Sequence, residues 1–166
     1  MADLYLFCGI SGAGKSTFLK NQVHGGVVVS RDQIRFSIVK SNEEYFSHEK
    51  EVYEEFWGQI TQNLMEGKDV FADQTSLTPK SRKYLIDNVK GYEHIYAIWI
   101  DEDLDTCLER NENRKGTRAY VPQKVIIRMS SQFVRPSLSE GFHRIYHYNS
   151  KINKISYIGA PFSKGE

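Results

Sequence analysis

Short apolar runs alternate with segments of helical periodicity along most of the chain. Buried strands are predicted by continuous apolar stretches at residues 4–8, 27–29, 70–72 and 94–100. Helices are predicted by apolar spacing or by start signals at residues 15–22, 31–39, 43–66, a segment opened by Thr78 and Pro79, 103–114 and 122–133. A last strand is predicted at residues 154–158, whereas residues 135–150 show no clear pattern.

This alternation predicts an α/β fold in three layers, with helices on both faces of a central parallel sheet. In such sheets ligands bind beyond the carboxyl ends of the strands. The residues of most interest therefore directly follow the predicted strands, beginning at Gly9, Ser30, Asp73 and Asp101.

The first strand runs into a glycine-rich loop that fits the pattern G-x-x-x-x-G-K-[ST] without a departure. Glycines let successive amides point at phosphate oxygens, and the following helix adds its N-terminal positive charge. Lys15 is predicted to reach the β- and γ-phosphates of a nucleoside triphosphate, usually ATP, and Ser16 to bind Mg²⁺. The predicted nucleotide-binding positions of the loop are Gly9, Ser11, Gly12, Ala13, Gly14, Lys15, Ser16 and Thr17.

Two strand-end carboxylates are candidates for supporting that metal ion. Asp73 is the better one, because Thr75 and Ser76 beside it add small hydroxyls. Asp101 is better explained by a structural role, since Asp103 after it is a candidate helix cap. The sequence therefore predicts a Mg²⁺ site formed by Ser16 and Asp73.

Asp32 lies in the first turn of a predicted helix, directly after a predicted strand. One interpretation is that it only stabilises the helix dipole. The other rests on Arg35, which shares its helix face three residues on. A carboxylate beside an arginine can accept the proton of a hydroxyl that belongs to an anionic substrate. The residues alone leave both interpretations open.

Arginines cluster where a predicted helix enters a glycine-containing loop before Pro122. Arg110 and Arg114 lie four residues apart, so a helix places both on one side. In small kinases, arginines on a mobile lid neutralise charge on the transferring phosphoryl group. A basic helix end that complements its own dipole is the structural alternative. The cluster favours a lid over about residues 110–122.

Composition limits the class of protein. With 166 residues, 40% apolar and 26% charged, the chain predicts a single globular domain over residues 1–166. No apolar run approaches the roughly 18 residues that span a membrane, and no secretory signal is visible, so no membrane contact is expected. Cys8 and Cys107 are too few for a disulfide framework and favour a reduced, cytoplasmic setting, with Cys8 buried and inert.

The net charge of +1 conceals an uneven distribution. Residues 110–151 hold nine lysines and arginines against Glu112 and Glu140, a local charge of +7. Such a segment can serve an anionic ligand even in a nearly neutral protein, although a solvated basic face is an equally good explanation from charge alone.

Four blocks taken in order resemble the 5′-kinase domain of phage polynucleotide kinase, within the P-loop phosphotransferases. They are residues 9–17, 30–35, 72–79 and 110–122, and the likeness runs from about residue 3 to residue 135. The first block is common to a very large superfamily, whereas the second and fourth together are much more specific. The resemblance implies a nucleic acid repair enzyme that moves the ATP γ-phosphate to the 5′-hydroxyl of DNA or RNA with Mg²⁺.

The same resemblance implies roles for individual residues. Asp32 corresponds to the general base that activates the 5′-hydroxyl, and Arg35 to the arginine that grips the adjacent acceptor phosphate. Asp73 corresponds to the acidic residue that helps order the site. The acceptor is expected near Thr75, and the donor phosphates near Arg110 and Arg114. The loop before Pro122 is one residue longer than in that family, so Arg114 and Lys115 compete for one role.

Two other function classes stay open. The first is a P-loop kinase for another hydroxyl, on a nucleoside, a small metabolite or a modified base in DNA. The second is a nucleotide-binding ATPase or switch module that serves a partner protein. Asp32 with Arg35 and the lid arginines favour a kinase, and the basic segment favours a polynucleotide acceptor.

Overall fold

The computed structural model of the protein describes residues 2–161, in which strands and helices alternate. Its strands are β1 Ala2–Cys8, β2 Val27–Ser30, β3 Val70–Asp73, β4 Tyr92–Ile100, β5 Arg144–Asn149 and β6 Lys154–Gly159. Its helices are α1 Lys15–Gln22, α2 Arg31–Ile38, α3 Glu49–Met65, α4 Pro79–Asn88, α5 Leu104–Glu112 and α6 Gln123–Gln132, followed by a short 3₁₀ helix at Leu138–Glu140.

The strands form one sheet in the order β2-β3-β1-β4-β5-β6. Strands β1 to β5 are parallel, and β6 runs antiparallel to β5 at the edge. Because β2 and β3 pair in register from Val27 and Val70 to Ser30 and Asp73, their carboxyl ends open side by side. The predicted α/β class with a central, mainly parallel sheet is confirmed.

Helices cover both faces of the sheet, and the core is divided accordingly. On one face, Leu4 and Leu6 of β1 belong to a cluster that includes Val52, Phe56, Ile60 and Leu64 of α3. On the other face, Phe7 belongs to a cluster that includes Phe18 of α1, Cys107 of α5 and Ile126 of α6. Successive side chains of a strand point to opposite faces, which explains why neighbours in β1 join different clusters.

Local signals explain where several helices begin. Thr78 and Ser81 form a capping box at α4, in which each side chain bonds the other's backbone N–H at 3.2 Å. The Asp103 carboxylate accepts the Thr106 N–H at 2.8 Å, so Asp103 caps α5 as the sequence indicates. Among residues 2–161, no helix is both long enough and apolar enough to cross a bilayer.

Two sequence predictions need correction, and one strand is missing from them. Strand β2 lies at the sheet edge and leaves Val28 44% exposed, so residues 27–29 are not a strand buried on both faces. Helix α3 begins only at Glu49, because residues 41–48 form turns instead of continuing the helical periodicity. Strand β5 was not predicted, since its sequence RIYHYN mixes a cation and a histidine with apolar positions.

Candidate active site

The glycine-rich loop adopts a conformation that only glycine suits at two positions. Gly12 and Gly14 have φ angles of 84° and 119°, in the region that side chains disfavour. A Cβ atom on Gly12 would stand 2.7 Å from the Cys107 carbonyl oxygen, and one on Gly14 would stand 2.5 Å from Ser150 Cβ. The loop is fixed to the β3 end, where Gly9 N–H donates to the Thr75 carbonyl at 3.0 Å.

Helix α1 leaves this loop with an uncapped N-terminus. It begins at Lys15 after Gly14, and no side chain caps it. The first amides of a helix have no partner within it and carry the positive end of its dipole. Together with the loop amides, they can hold the phosphates of a nucleotide.

Lys15 and Asp73 meet at the mouth of the loop. The Lys15 Nζ lies 2.6 Å from Asp73 Oδ1, and each side chain is 24% exposed. Strands β1 and β3 are neighbours, so the residues that follow β1 and end β3 necessarily come close. Ser16, the residue after Lys15 in α1, is exposed. The two predicted metal-binding positions therefore supply a hydroxyl and a carboxylate, the hard oxygen donors that Mg²⁺ prefers.

The Asp32 carboxylate is held on one oxygen and free on the other. Its Oδ1 accepts hydrogen bonds from Arg35 Nη1 at 2.7 Å and from the Tyr45 hydroxyl at 3.2 Å. Its Oδ2 has no partner within residues 2–161, and the side chain is 64% exposed. The backbone is fixed by Ser30, which caps α2 by accepting the Gln33 N–H. Asp32 can therefore receive a hydroxyl from outside the protein.

Arg35 is buried, and its donors are engaged inside the protein. Its Nε and Nη2 donate to the two oxygens of Glu49 at 2.7 and 3.0 Å, and its Nη1 donates to Asp32 and Tyr45. Burial on its own lowers the pKa of the guanidinium. The bond to Glu49 and the neighbouring charges outweigh that effect, so the pKa of Arg35 lies above its ordinary value. The phosphate contact that the resemblance implies for Arg35 stays a prediction and requires an exchange of partners.

The predicted lid contacts the loop through Arg110. Its Nη1 donates to the Gly12 carbonyl at 3.0 Å and to the Ser150 hydroxyl at 2.9 Å, and its Nη2 lies 3.7 Å from Glu102. Arg114 forms no side-chain hydrogen bond or ion pair with the described residues. The structure thus brings Arg110 to the glycine-rich loop, while a catalytic role of Arg110, Arg114 or Lys115 stays a prediction.

Two contacts hold the rest of the lid. The buried Asn111 amide bonds both backbone groups of Val121, at 2.6 and 2.9 Å, and so closes the loop between α5 and α6. The Arg118 guanidinium lies 4.0 Å from the centre of the Phe36 ring on α2. The lid segment therefore spans from the glycine-rich loop to the helix that carries Asp32.

Sequence reasoning missed several residues of this site. Ser150 donates to the Ala13 carbonyl at 3.1 Å, yet it lies 137 residues away and follows the unpredicted strand β5. Tyr45 and Glu49 lie in a stretch interpreted only as helix, and nothing in the sequence links them to Arg35. Asp101 pairs with His147 at 2.8 Å, which agrees with the structural role favoured for it.

Both cysteines lie in the core beneath this site. Burial raises the pKa of the Cys8 thiol to about 12 and that of the Cys107 thiol to about 11. Both therefore stay protonated near neutral pH and are inert as nucleophiles.

The sequence of the chain matches one protein family. A family model described as an AAA domain matches residues 4–136 of the chain. The chain belongs to this AAA domain family. The match contains the glycine-rich loop, Asp32, Asp73 and the whole predicted lid, and it ends before β5 and Ser150.

Solved structures share the fold of this AAA domain at low sequence identity. A chain of the Pnkp1/Rnl/Hen1 RNA repair complex has a TM-score of 0.68 and 19% identity, over 79% of this chain and 43% of that chain. A sugar kinase from Janibacter sp. HTCC2649 has a TM-score of 0.60 and 13% identity, over 82% and 80%. Kti12 from Chaetomium thermophilum, in complex with ADP-AlF3, has a TM-score of 0.54 and 16% identity, over 82% of each chain.

These likenesses concern the fold alone. The chain spans less than half the length of the RNA repair chain that it matches. The family model identifies an AAA domain, and the solved structures share its fold. They do not extend to the phage polynucleotide kinase family that the sequence resembles.

Proposed function

We propose that the chain is an ATP-dependent polynucleotide 5′-hydroxyl kinase with Asp32 as its general base. The observation that carries this proposal is the free Oδ2 of an exposed Asp32, whose other oxygen is held by the buried Arg35 and by the hydroxyl of Tyr45. The end of β2 pairs with Asp73, which is in turn bonded to Lys15. A hydroxyl bound at Asp32 is therefore close to the phosphate-binding loop, as a direct phosphoryl transfer requires.

The donor nucleotide is held by the protein's own groups. The loop amides and the α1 N-terminus bind the phosphates of ATP, and Lys15 turns from Asp73 to the β- and γ-phosphates. Ser16 and Asp73 would hold Mg²⁺, which supplies charge neutralisation on the phosphates when it is bound. Arg110 and Arg114 add positive charge as the γ-phosphoryl group moves.

The phosphoryl transfer needs one proton acceptor, which is Asp32. Asp32 Oδ2 takes the proton of the acceptor hydroxyl, whose oxygen forms a bond to the γ-phosphorus. The bond between that phosphorus and the bridging oxygen breaks, and ADP leaves. Arg35 and Tyr45 hold Asp32 through its other oxygen, so the base keeps its position while it gains the proton.

A kinase for a small hydroxyl compound is the second candidate. The observation that favours it is the fold shared with a sugar kinase over 82% of this chain. The polynucleotide acceptor is supported by the fold shared with a chain of an RNA repair complex and by the basic segment at residues 110–151. We further propose the cytoplasm as its compartment.

A transfer assay with γ-labelled ATP tests the proposal. We expect label on a 5′-hydroxyl oligonucleotide, and none on the same strand that already carries a 5′-phosphate. Label on free nucleosides or hexoses in preference to the strand would favour the second candidate. Phosphate release without transfer to any acceptor would indicate an ATPase or switch module.

The control variant for this assay is Lys15→Ala. The ammonium group neutralises charge that grows toward the transition state, so its removal should abolish transfer. Lys15 is not part of either core cluster, and the melting temperature should hardly change. Transfer at the wild-type rate by this folded variant would contradict the assignment of the loop.

A further inference from the structure

A cavity of about 260 Å³ is lined in part by Arg31, the residue that precedes Asp32, and has no part in the phosphoryl chemistry described above. It is enclosed by the start of α2, by α3, by the residues after β3, by α4 and by the end of α6. Arg31, which precedes Asp32, and Thr75, which follows Asp73 by two residues, both line it. Sites that bury a drug-sized ligand measure about 300–1,000 Å³, so this one suits a single ring system.

Three aromatic side chains form one wall of the cavity. The rings of Tyr53 and Trp57 on α3 lie 5.4 Å apart, and Tyr84 on α4 stands edge-on to both, at 5.6 and 5.2 Å. The Arg31 guanidinium lies 5.1 Å from the centre of the Tyr53 ring. Aromatic rings and planar guanidinium groups are the surfaces on which nucleobases stack in single-strand binding sites.

Two donors in the wall of this cavity have no acceptor. Arg31 Nη1 donates to the Tyr53 hydroxyl at 2.8 Å and to Gln74 Oε1 at 3.1 Å. Arg31 Nε and Trp57 Nε1 are both enclosed and have no partner within residues 2–161. A buried donor without an acceptor costs about 1–3 kcal/mol, so such groups require an explanation. A ligand that reaches these donors needs acceptors, such as carbonyl oxygens or ring nitrogens.

We propose that this cavity, which we call the base pocket, receives the terminal nucleobase of the acceptor strand. The base stacks on the wall of Tyr53, Trp57 and Tyr84 and accepts hydrogen bonds from Arg31 Nε and Trp57 Nε1. The sugar of the same nucleotide then lies toward Asp32, one residue from Arg31, with its 5′-hydroxyl at Oδ2. This inference rests on the proposed kinase function and adds a site that orients the nucleotide to be phosphorylated.

The geometry favours a base over a hexose in this pocket. A hexose presents a hydroxyl donor with nearly every acceptor, whereas the unsatisfied atoms here are both donors. A base offers acceptors without attached hydrogens on the same planar ring that stacks.

An acceptor without its terminal base tests the base pocket. Two 5′-hydroxyl oligonucleotides of one length are compared, one intact and one with a stable abasic residue at its 5′ end. We expect kcat/KM for the abasic strand to be lower by about 5- to 150-fold, the range typical of one base stacked on an aromatic side chain. Values within twofold of each other would overturn the base pocket while leaving the kinase function intact. No transfer to either strand would contradict the proposed function itself.

Variants of the lining residues test whether a preference for the intact strand over the abasic strand comes from the base pocket. In Trp57→Leu and Tyr84→Leu the ratio between the two strands should fall toward one, because the stacking surface is lost. Trp57→Phe keeps a ring but loses the Nε1 donor, so its ratio should be intermediate. The matched control is Tyr157→Leu, a ring 40% exposed on β6 at the opposite edge of the sheet, which should keep the wild-type ratio. An unchanged ratio in the three pocket variants would refute the assignment.

A binding measurement gives a readout that does not depend on turnover. The chain has two tryptophans, so Trp99→Phe leaves Trp57 as the only fluorescent indole. A nucleoside 3′-phosphate, which carries a base and a 5′-hydroxyl, should quench Trp57 by stacking, whereas deoxyribose 3-phosphate at the same concentration should not. Equal quenching by the two compounds, or by neither, would contradict the base pocket even if strands are phosphorylated.

Discussion

At the scale of single residues, Asp32 carries the sharpest prediction. Asp32→Asn keeps the shape of the side chain and still accepts hydrogen bonds, but it cannot take a proton. We expect kcat to fall by about 10²–10⁴, the usual effect of losing a general base. The dissociation constant of ATP should hardly change, because the proposed function assigns the phosphates to the loop and Lys15. Steady-state kinetics, nucleotide titration and thermal melting measure the three quantities on one protein.

The alternative explanation of Asp32 predicts a different result. A carboxylate that only stabilises the α2 dipole contributes about 0.3–1 kcal/mol, so its loss would lower the melting temperature slightly and leave turnover intact. Asp105→Asn is the matched control, since Asp105 lies in the first turn of α5. A kcat within about fivefold of wild type, less than about 1 kcal/mol of barrier, would exclude Asp32 as the base.

A side chain at position 14 should weaken nucleotide binding for a steric reason. Gly14→Ala puts a Cβ 2.5 Å from Ser150 Cβ at a φ of 119°, so the loop must shift. We expect the ATP dissociation constant to rise by about tenfold or more, with the fold retained. Gly58→Ala is the control: Gly58 lies inside α3 with nothing within 4 Å, so this change should stabilise the protein by about 0.5–1 kcal/mol. Unchanged affinity in Gly14→Ala would show that the contact with Ser150 is not maintained.

The sequence predicts those site residues whose chemistry depends on local spacing. The loop residues are consecutive in the sequence, and Asp32 and Arg35 are three residues apart. A local motif can therefore predict each group. Ser150 and Glu49 act across the fold, and no spacing rule predicts their partners. The sequence also does not predict that Trp57 Nε1 lacks an acceptor, because the partners of a buried donor depend on how the chain packs.

At the scale of elements, the contact between α2 and α3 depends on Glu49. Its two oxygens hold Arg35, whose side chain is 2% exposed, while Glu49 itself is 26% exposed. Glu49→Gln removes the charge and one acceptor, which should cost about 1–3 kcal/mol of unfolding free energy and also lower kcat through the displaced Asp32. Glu54→Gln, at an exposed position of the same helix, should do neither. Chemical denaturation and kinetics measure both effects, and equal stability of the two variants would contradict this role.

His48, which directly precedes α3, predicts a pH-dependent stability. A hydrogen bond to Glu43, with a second contact to Glu51, raises the pKa of His48 above its ordinary value of 6.5. Its contribution is therefore complete below that value and is lost as pH rises through the higher folded-state pKa. We expect the difference in melting temperature between wild type and His48→Gln to shrink between about pH 5.5 and pH 8.5. A difference that grows with pH would contradict the direction of the shift.

The sequence predicts elements best where apolar residues follow a regular pattern. Strand β1 and helix α3 carry continuous or periodic apolar residues, because both have well-defined apolar surfaces. Strand β5 escapes prediction since Arg144 lies within it, and that guanidinium is buried by bonds to the Ala160 and Pro161 carbonyls. Such bonds form only after β6 has paired with β5, so the segment alone carries no strand signal.

At the scale of the whole molecule, the basic segment divides into two groups. Arg110 and Lys151 lie beside Glu102, Lys151 also bonds Asp103, and Arg144 is buried. These acidic partners precede residue 110, so counting charge along the sequence overstates what a ligand meets. The cations that pair with no carboxylate in the described part of the chain are Arg114, Lys115, Arg118, Lys124, Arg128 and Arg135.

This division predicts that the acceptor KM depends on salt more strongly than the ATP KM. A single strand releases about 0.7 counterion for each phosphate neutralised, so acceptor KM should rise more steeply with KCl than ATP KM does. Arg118 lies against Phe36 on α2, the helix that carries Asp32, and is therefore a suitable test position. Arg118→Ala should raise acceptor KM and lower the salt slope by about 0.7 if it meets one phosphate.

The matched control is Lys151→Ala, because Lys151 is already paired with Asp103 at 3.1 Å and should leave the slope unchanged. The slope is read from acceptor KM at several KCl concentrations for wild type and both variants. Equal slopes for acceptor and ATP in the wild-type protein would mean that the acceptor carries no chain of phosphates, which would favour the small hydroxyl compound. A slope lost in Lys151→Ala and kept in Arg118→Ala would instead place the strand on the α5 side of the sheet, away from Asp32.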